Sequence, residues 1–191
     1  MCVMSAENLY IALLHYPVYN KRGDIVTTAV TNMDIHDISR AARTYGVKRF
    51  YIITPIEQQK LFVERILHHW QKGYGITYNP SRKEAFDIVR VADTLDDAIA
   101  ALSRKTGERV NVVVTSASPR ENSLTCEELR EKIAKSSELF LILFGTGWGI
   151  AEEVIEKVDF TVEPIQGNSD YNHLSVRSAV AVTLDRLCRH N

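Results

Sequence analysis

No apolar run exceeds the six residues from Leu139 to Phe144, far short of the roughly twenty that a helix needs to cross a bilayer. A membrane-spanning helix is therefore excluded. Cysteine is scarce: Cys2, Cys126 and Cys188 are scattered, and none belongs to a CxxC pair or a zinc-like spacing with histidine. They read as free thiols in a reducing cytoplasm, with no metal centre. A strong charge of either sign is missing, since the formal net charge is −1 and the isoelectric point about 6.6. The chain as a whole is not a nucleic-acid glue, yet a local basic face suffices for RNA. Lys21, Arg22, Arg40, Arg43, Lys48 and Arg49 are candidates for such a face. The stretch from Met1 to Asn8 lacks the basic region and apolar segment of a secretion signal, so a cytoplasmic location is expected. Repeats, low-complexity tracts and composition breaks are absent too, and residues 1–191 read as one domain.

What is present is an ordinary globular composition, 45% hydrophobic and 25% charged, in a chain long enough to bury a full core. Strand and helix patterns alternate, which argues for an α/β sheet, Rossmann-like and mostly parallel, with helices on both faces. Strands are predicted at Asn8 to His15, Phe50 to Ile53, Ile88 to Val91, Val110 to Thr115, Leu139 to Phe144 and Phe160 to Glu163. A short extended piece is expected at Ile25 to Val30, after a turn-rich loop from Pro17 to Asp24. A helix starting near Asp34 stops at Gly46. Pro55 suits the first turn of the next, which carries Leu61, Ile66 and Leu67 inward as far as Trp70. Thr94 with Asp97 and Thr125 with Glu128 mark two capping boxes, and a helix is expected from Ala151 to Lys157.

Ligands of open α/β sheets bind outside the carboxyl ends of the strands. Three late strand ends are rich in small and polar residues: Thr115-Ser116-Ala117-Ser118, Gly145-Thr146-Gly147-Trp148-Gly149, and Gln166-Gly167-Asn168-Ser169. Glycines there let backbone groups approach a ligand closely, or simply make a tight strand-to-helix turn. A dinucleotide site would place GxGxxG after the first strand with an acid about twenty residues on. Here the spacing is GxGxG near the end of the chain, which disfavours a nicotinamide enzyme. Trp148 is expected in the core rather than over a ligand. On the early helix, Asn32, His36 or Asp37, and Arg40 share one face by i,i+4 spacing.

Asn32 to Val47, Leu141 to Ile150, and Pro164 to Gly167 followed by Tyr171 to Ala181 together resemble the SPOUT superfamily of S-adenosylmethionine-dependent RNA methyltransferases. Within it the chain is most similar to a small bacterial family linked to the C-terminal region of tRNA (guanine-N1)-methyltransferase. The resemblance covers nearly the whole chain. It implies a deep trefoil knot at the C-terminus, S-adenosylmethionine as cofactor, tRNA or rRNA as partner, and a homodimer packed through the last helix. Arg40 sits where ribose methyltransferases of the superfamily carry a catalytic arginine, while Asn172 and Ser175 are both candidates for the polar residue that opens the last helix and handles the acceptor. Cofactor contacts are expected from Thr115, Ser116, Phe144, Gly145, Thr146 and Gly147, and from Ile165, Gly167, Asn172 and Leu174, mostly through the backbone. Asp37 and Asp170 are proton acceptors if the target is a base nitrogen. The ribose-methylating branch carries a glutamate where this chain has Gly147, so ribose and base methylation both stay open. That departure also admits a non-catalytic RNA-binding or cofactor-sensing protein of the same fold.

Overall fold

The computed structural model describes residues 6–189; Cys2 and the rest of the first five positions lie outside the described residues. In chain order the strands are β1 Leu9–Leu14, β2 Val18–Tyr19, β3 Ile25–Val26, β4 Phe50–Ile53, β5 Val89–Ala92, β6 Val110–Thr115, β7 Leu139–Gly145 and β8 Phe160–Val162. The helices are α1 Asn32–Thr44, α2 Glu57–Gln71, α3 Gly75–Tyr78, α4 Pro80–Phe86, α5 Leu95–Thr106, α6 Cys126–Lys135, α7 Glu152–Ile155 and α8 Val176–Cys188. Six strands form one sheet in the order β5-β4-β1-β7-β6-β8, all pairings parallel, while β2 and β3 form a separate antiparallel hairpin.

Strand direction decides which face each helix covers. The steps β1 to β4 to β5 and β6 to β7 move toward one edge and place α1, α2 and α6 on one face. The steps β5 to β6 and β7 to β8 move the other way and place α5 and α7 on the opposite face, as right-handed crossovers require. The two-residue period of the strands feeds both cores. Leu9, Ile11 and Leu13 pack on the first face with Phe140, Ile142 and Phe144, while Tyr10, Ala12 and Leu14 join Leu139, Leu141 and Leu143 on the second. Each such side chain contributes about 1.5–3 kcal/mol by leaving water. The last helix, α8, lies on the first face and runs parallel to α1. Arg177 faces Asp34 at one end, and the Tyr45 hydroxyl donates to Asp185 at 3.0 Å at the other.

Caps follow the sequence signals closely. Thr94 and Thr125 accept from the amides of Asp97 and Glu128, and Gly107 and Gly46 end their helices at φ 76° and 77°. Three expectations fail. Leu61 is 44% exposed, because the buried stripe of α2 is Val63, Ile66, Leu67 and Trp70, and a residue two places from Val63 points about 200° away. Pro55 precedes the N-cap Ile56 instead of occupying the first turn of α2. The helix expected from Ala151 to Lys157 is the single turn α7, since the chain must step over β6 to reach the edge strand β8. Lys21 and Arg22 sit in the hairpin after the carboxyl end of β1, whereas Lys48 and Arg49 precede β4 at the amino end, so these cations do not share one face. Cys126 and Cys188 are free thiols, raised by burial, Cys188 to about 11. Among the described residues no helix is long and apolar enough to cross a membrane.

Candidate functional site

The strands β7, β6 and β8 are neighbours in the sheet, so the three loops singled out in the sequence leave the same edge side by side. Between β1 and β7 the chain departs in opposite directions, the switch point where open α/β sheets form a crevice. The β2–β3 hairpin occupies that crevice. Tyr19 N–H donates to Gly149 O at 2.8 Å, Trp148 N–H to Tyr19 O at 2.9 Å, and Ala151 N–H to Pro17 O at 3.2 Å. The hairpin thus straps the glycine loop from the β1 side.

The glycines divide accordingly. Gly147 has φ 61°, and a Cβ there would lie 2.7 Å from the Tyr19 carbonyl oxygen. A Cβ on Gly145 would lie 2.6 Å from the Ile150 side chain. Both positions need glycine because of the chain's own packing. Gly149 and Gly167, by contrast, have no atom beyond their chain neighbours within 4 Å of where a Cβ would stand, although Gly149 still needs glycine for its φ of 112°. Trp148 is 64% exposed between Gly147 and Gly149, which overturns its expected place in the core. The tight turn carries the ring away from the sheet.

Beneath the glycine loop runs a half-buried polar chain that sequence reasoning missed. The Thr146 hydroxyl donates to Leu14 O at 3.0 Å and meets the Thr28 hydroxyl, which lies 3.0 Å from His15 Nδ1. With the Thr146 proton on Leu14 O, Thr28 must donate to Thr146, and His15 Nδ1–H must then donate to Thr28. His15 is fully buried and its Nε2 has no partner among the described residues. Burial pushes its pKa down to about 4, against a smaller opposing pull from Asp34, so the ring is neutral.

At the tip of β6, Thr115 Oγ1 donates to Leu143 O at 2.9 Å, and the half-buried Ser116 accepts from Ser118 N–H at 3.0 Å. Arg120 holds Glu152 with two bonds of 2.7 Å, joining this loop to α7. Beyond β8 the backbone changes character. From 164 to 174 no N–H or C=O pairs with another backbone group among the described residues. One side chain ties this segment down: Asn172 Nδ2 donates to Ala117 O at 3.1 Å. Ser175, not Asn172, is the N-cap of α8, accepting from Ser178 N–H at 3.3 Å. Ile165 is half-buried, while Gly167 and Leu174 are exposed.

Of the remaining candidates, Arg40 is exposed on α1, two turns beyond its start, and no hydrogen bond or ion pair among the described residues joins it to the three loops. Asp37 faces Arg177 at 3.6 Å, and the same arginine reaches Asp34 at 3.3 Å, so α8 begins fastened to α1. His36 accepts from Arg82 at 3.0 Å and packs edge-on against Trp70 and Phe86. Burial and then Arg82 lower its pKa, a packing role rather than a catalytic one. Asp170 and His173 are exposed in the last loop. The loops that came together were legible from their small residues; the hairpin, His15 and Arg177 carried no local signal.

A family model described as SAM-dependent RNA methyltransferase matches residues 8–189. An uncharacterized protein of Aquifex aeolicus is 43% identical over 189 residues, 99% of this chain and 92% of its own length. A tRNA (guanine-N(1)-)-methyltransferase of Oleidesulfovibrio alaskensis is 42% identical over 181 residues, 95% of this chain but 42% of that protein, so the chain spans less than half of this relative. Among solved structures, a probable methylase family protein from Haemophilus influenzae Rd KW20 superposes with a TM-score of 0.64 at 21% identity, over 95% of this chain and 65% of that one. The match runs from the first strand through the last helix and spans the motifs at Asn32 to Val47, Leu141 to Ile150, and Pro164 to Gly167 with Tyr171 to Ala181, which bears out the resemblance they carry: the chain belongs to the family of S-adenosylmethionine-dependent RNA methyltransferases.

Proposed function

We propose that S-adenosylmethionine binds across the tips of β7, β6 and β8 and that the acceptor is a nucleotide of tRNA. One observation carries the site: the segment 164–174 lies clasped to Ala117, and among the described residues its backbone makes no bond to another backbone group, Tyr171 N–H alone turning to Ser169 Oγ. Adenine offers one amino donor and ring acceptors, which a few backbone bonds of about 1 kcal/mol net each can select. The residues fit that group. Gly167 and Gly149 face open space, and the amides of Ile165 and Gly167 have no acceptor among the described residues. Phe144, Gly145, Thr146 and Gly147 form the wall strapped by the hairpin, and Thr115, Ser116 and Leu174 the rest of the lining. When bound, the cofactor supplies a methyl group on a sulfonium centre.

The chain's own residues then have to orient the acceptor and take its proton. Arg40 is assigned to hold the RNA and polarise the acceptor, with Asn172 and Ser175 at the mouth of the last loop. Ser175 is already engaged as a cap, which favours Asn172 for contact with ligand. Asp37 is engaged by Arg177, so for a base nitrogen Asp170 is the proton acceptor. Because Arg40 is exposed on α1, which is fastened to α8 through Asp34, Asp37 and Tyr45, a homodimer meeting through α8 would bring it near the junction of two copies. We also propose that residues 1–191 act as one domain in the cytoplasm and that α8 threads a preceding loop as a trefoil knot. The parallel course of α8 beside α1 and the clasp of 164–174 onto the β6 loop support that threading. The tRNA target rests on the relative named for tRNA.

Transfer of a radiolabelled methyl group from S-adenosylmethionine to unfractionated tRNA and rRNA tests the proposal. Label is expected in tRNA, with nucleoside mass spectrometry separating ribose from base products. Arg40→Ala is expected to lower turnover by about 10²–10⁴-fold while cofactor affinity by calorimetry is unchanged. Label in rRNA alone overturns the tRNA assignment, and an unchanged rate removes the role of Arg40.

A further inference from the structure

A second surface lies on the outer side of α2 and the turn that follows it. Residues 61–83 hold four cations, Arg65, Lys72, Arg82 and Lys83, against one acid, Glu64, in a chain whose net charge is −1. Arg65, His68, His69 and Lys72 are exposed, and their i, i+3, i+4, i+7 spacing puts them on one stripe. None of the ion pairs among the described residues uses Arg65 or Lys72. The acids that follow are already paired, Glu84 with Arg43 and Asp87 with Lys83.

The chain then turns over the end of α2 through Gly73-Tyr74-Gly75. Both glycines pack inward: a Cβ on Gly73 would stand 2.8 Å from His69 O, and one on Gly75 2.6 Å from the Trp70 ring. Tyr74 between them is 75% exposed, and Tyr78, one turn later, is 74% exposed. Tyr78 N–H donates to Tyr74 O at 3.3 Å, so the two side chains leave the same side of that turn. Behind them Arg82 lies over the Trp70 ring at 4.9 Å and bonds His36, one turn of α1 from Arg40. The aromatic turn is therefore fastened to the core and adjoins the helix that carries Arg40.

Two large rings left three-quarters in water beside unpaired cations match one ligand chemistry, a polyanion with exposed flat faces. Paired bases bury those faces in their own stack, so the fitting strand is unpaired. We propose that this surface binds a single-stranded segment of the RNA substrate, with bases stacked on Tyr74 and Tyr78 and phosphates on Arg65 and Lys72. The inference rests on the family's RNA chemistry and not on where the cofactor sits.

Fluorescence anisotropy with labelled twelve-nucleotide oligouridine, and with a duplex RNA of equal length, is the test. The single strand is expected to bind more tightly, and the Tyr74→Ala/Tyr78→Ala double variant to weaken it by about 30-fold or more. Tyr74→Phe/Tyr78→Phe is expected to stay within about threefold, since stacking needs only the ring. Arg65→Ala/Lys72→Ala is expected to reduce the slope of log affinity against log salt by about 1.4. Cofactor affinity stays unchanged in every variant, which separates this surface from the methyl-donor pocket. An unchanged affinity in the alanine pair overturns the proposal, as does equal binding of duplex or self-association lost with the tyrosines, which would make the occupant a second copy.

Discussion

Between Gly145 and Ala151 the backbone is bonded back onto its own chain, with Tyr19 and Pro17 of the hairpin taking or giving three hydrogen bonds. Between 164 and 174, on the other side of β6, no backbone group is paired with another among the described residues, and one asparagine ties the segment to the β6 loop. Both stretches are glycine-bearing loops leaving parallel strands at the same edge. Their glycines nevertheless answer different demands. Gly147 exists for Tyr19, whereas Gly167 touches nothing within 4 Å of its missing Cβ. In the proposed site, one wall is finished before a ligand arrives, and the other keeps its hydrogen-bonding capacity in reserve.

That contrast can be broken from either side. Gly147→Ala sets a Cβ against a backbone carbonyl at a left-handed φ, and is expected to cost roughly 2–3 kcal/mol of stability, read by urea unfolding. A next-largest effect comes from pH. His15 has a folded-state pKa near 4 and an ordinary value of 6.5, so its contribution is complete above pH 6.5 and is lost as pH falls toward 4. Unfolding free energy is expected to drop by about 2 kcal/mol between pH 7 and pH 5 from this group, and the drop should shrink in His15→Gln. Asn172→Ala releases the single clasp. About 1 kcal/mol or less of stability and about fivefold in cofactor affinity are expected to go. The smallest effect belongs to Gly167→Ala, under about 0.5 kcal/mol in stability, with the loss appearing in cofactor affinity instead. Equal stability losses at Gly147 and Gly167 would erase the distinction between the two walls.

The sheet and its caps were legible because their signals are local. Phe50–Ile53 and Val110–Thr115 are short apolar runs between turn residues, and Thr125 with Glu128 spells a capping box within four positions. Small and polar residues at three late strand ends also marked the loops that meet at one edge. What escaped depends on partners distant in sequence. Thr146 meets Thr28 across 118 positions, and the hairpin that straps Trp148 precedes it by more than a hundred. Leu61 and Trp148 were assigned inward from hydrophobicity alone, yet α2 turns its stripe to Val63, and the Gly147 turn lifts the indole off the sheet. The glycine motif was visible, but not that two of its glycines serve the fold, because that requires knowing where Tyr19 and Ile150 end up.

Amide hydrogen exchange with and without S-adenosylmethionine tests the two-walled site most directly. The amides of Trp148 and Ala151, already bonded, are expected to exchange slowly in both states. Residues 165–174, with 115–118 beside them, are expected to exchange fast when free and to slow at least about tenfold with cofactor bound. Protection that appears elsewhere, with 165–174 unchanged at saturating cofactor, would contradict the site.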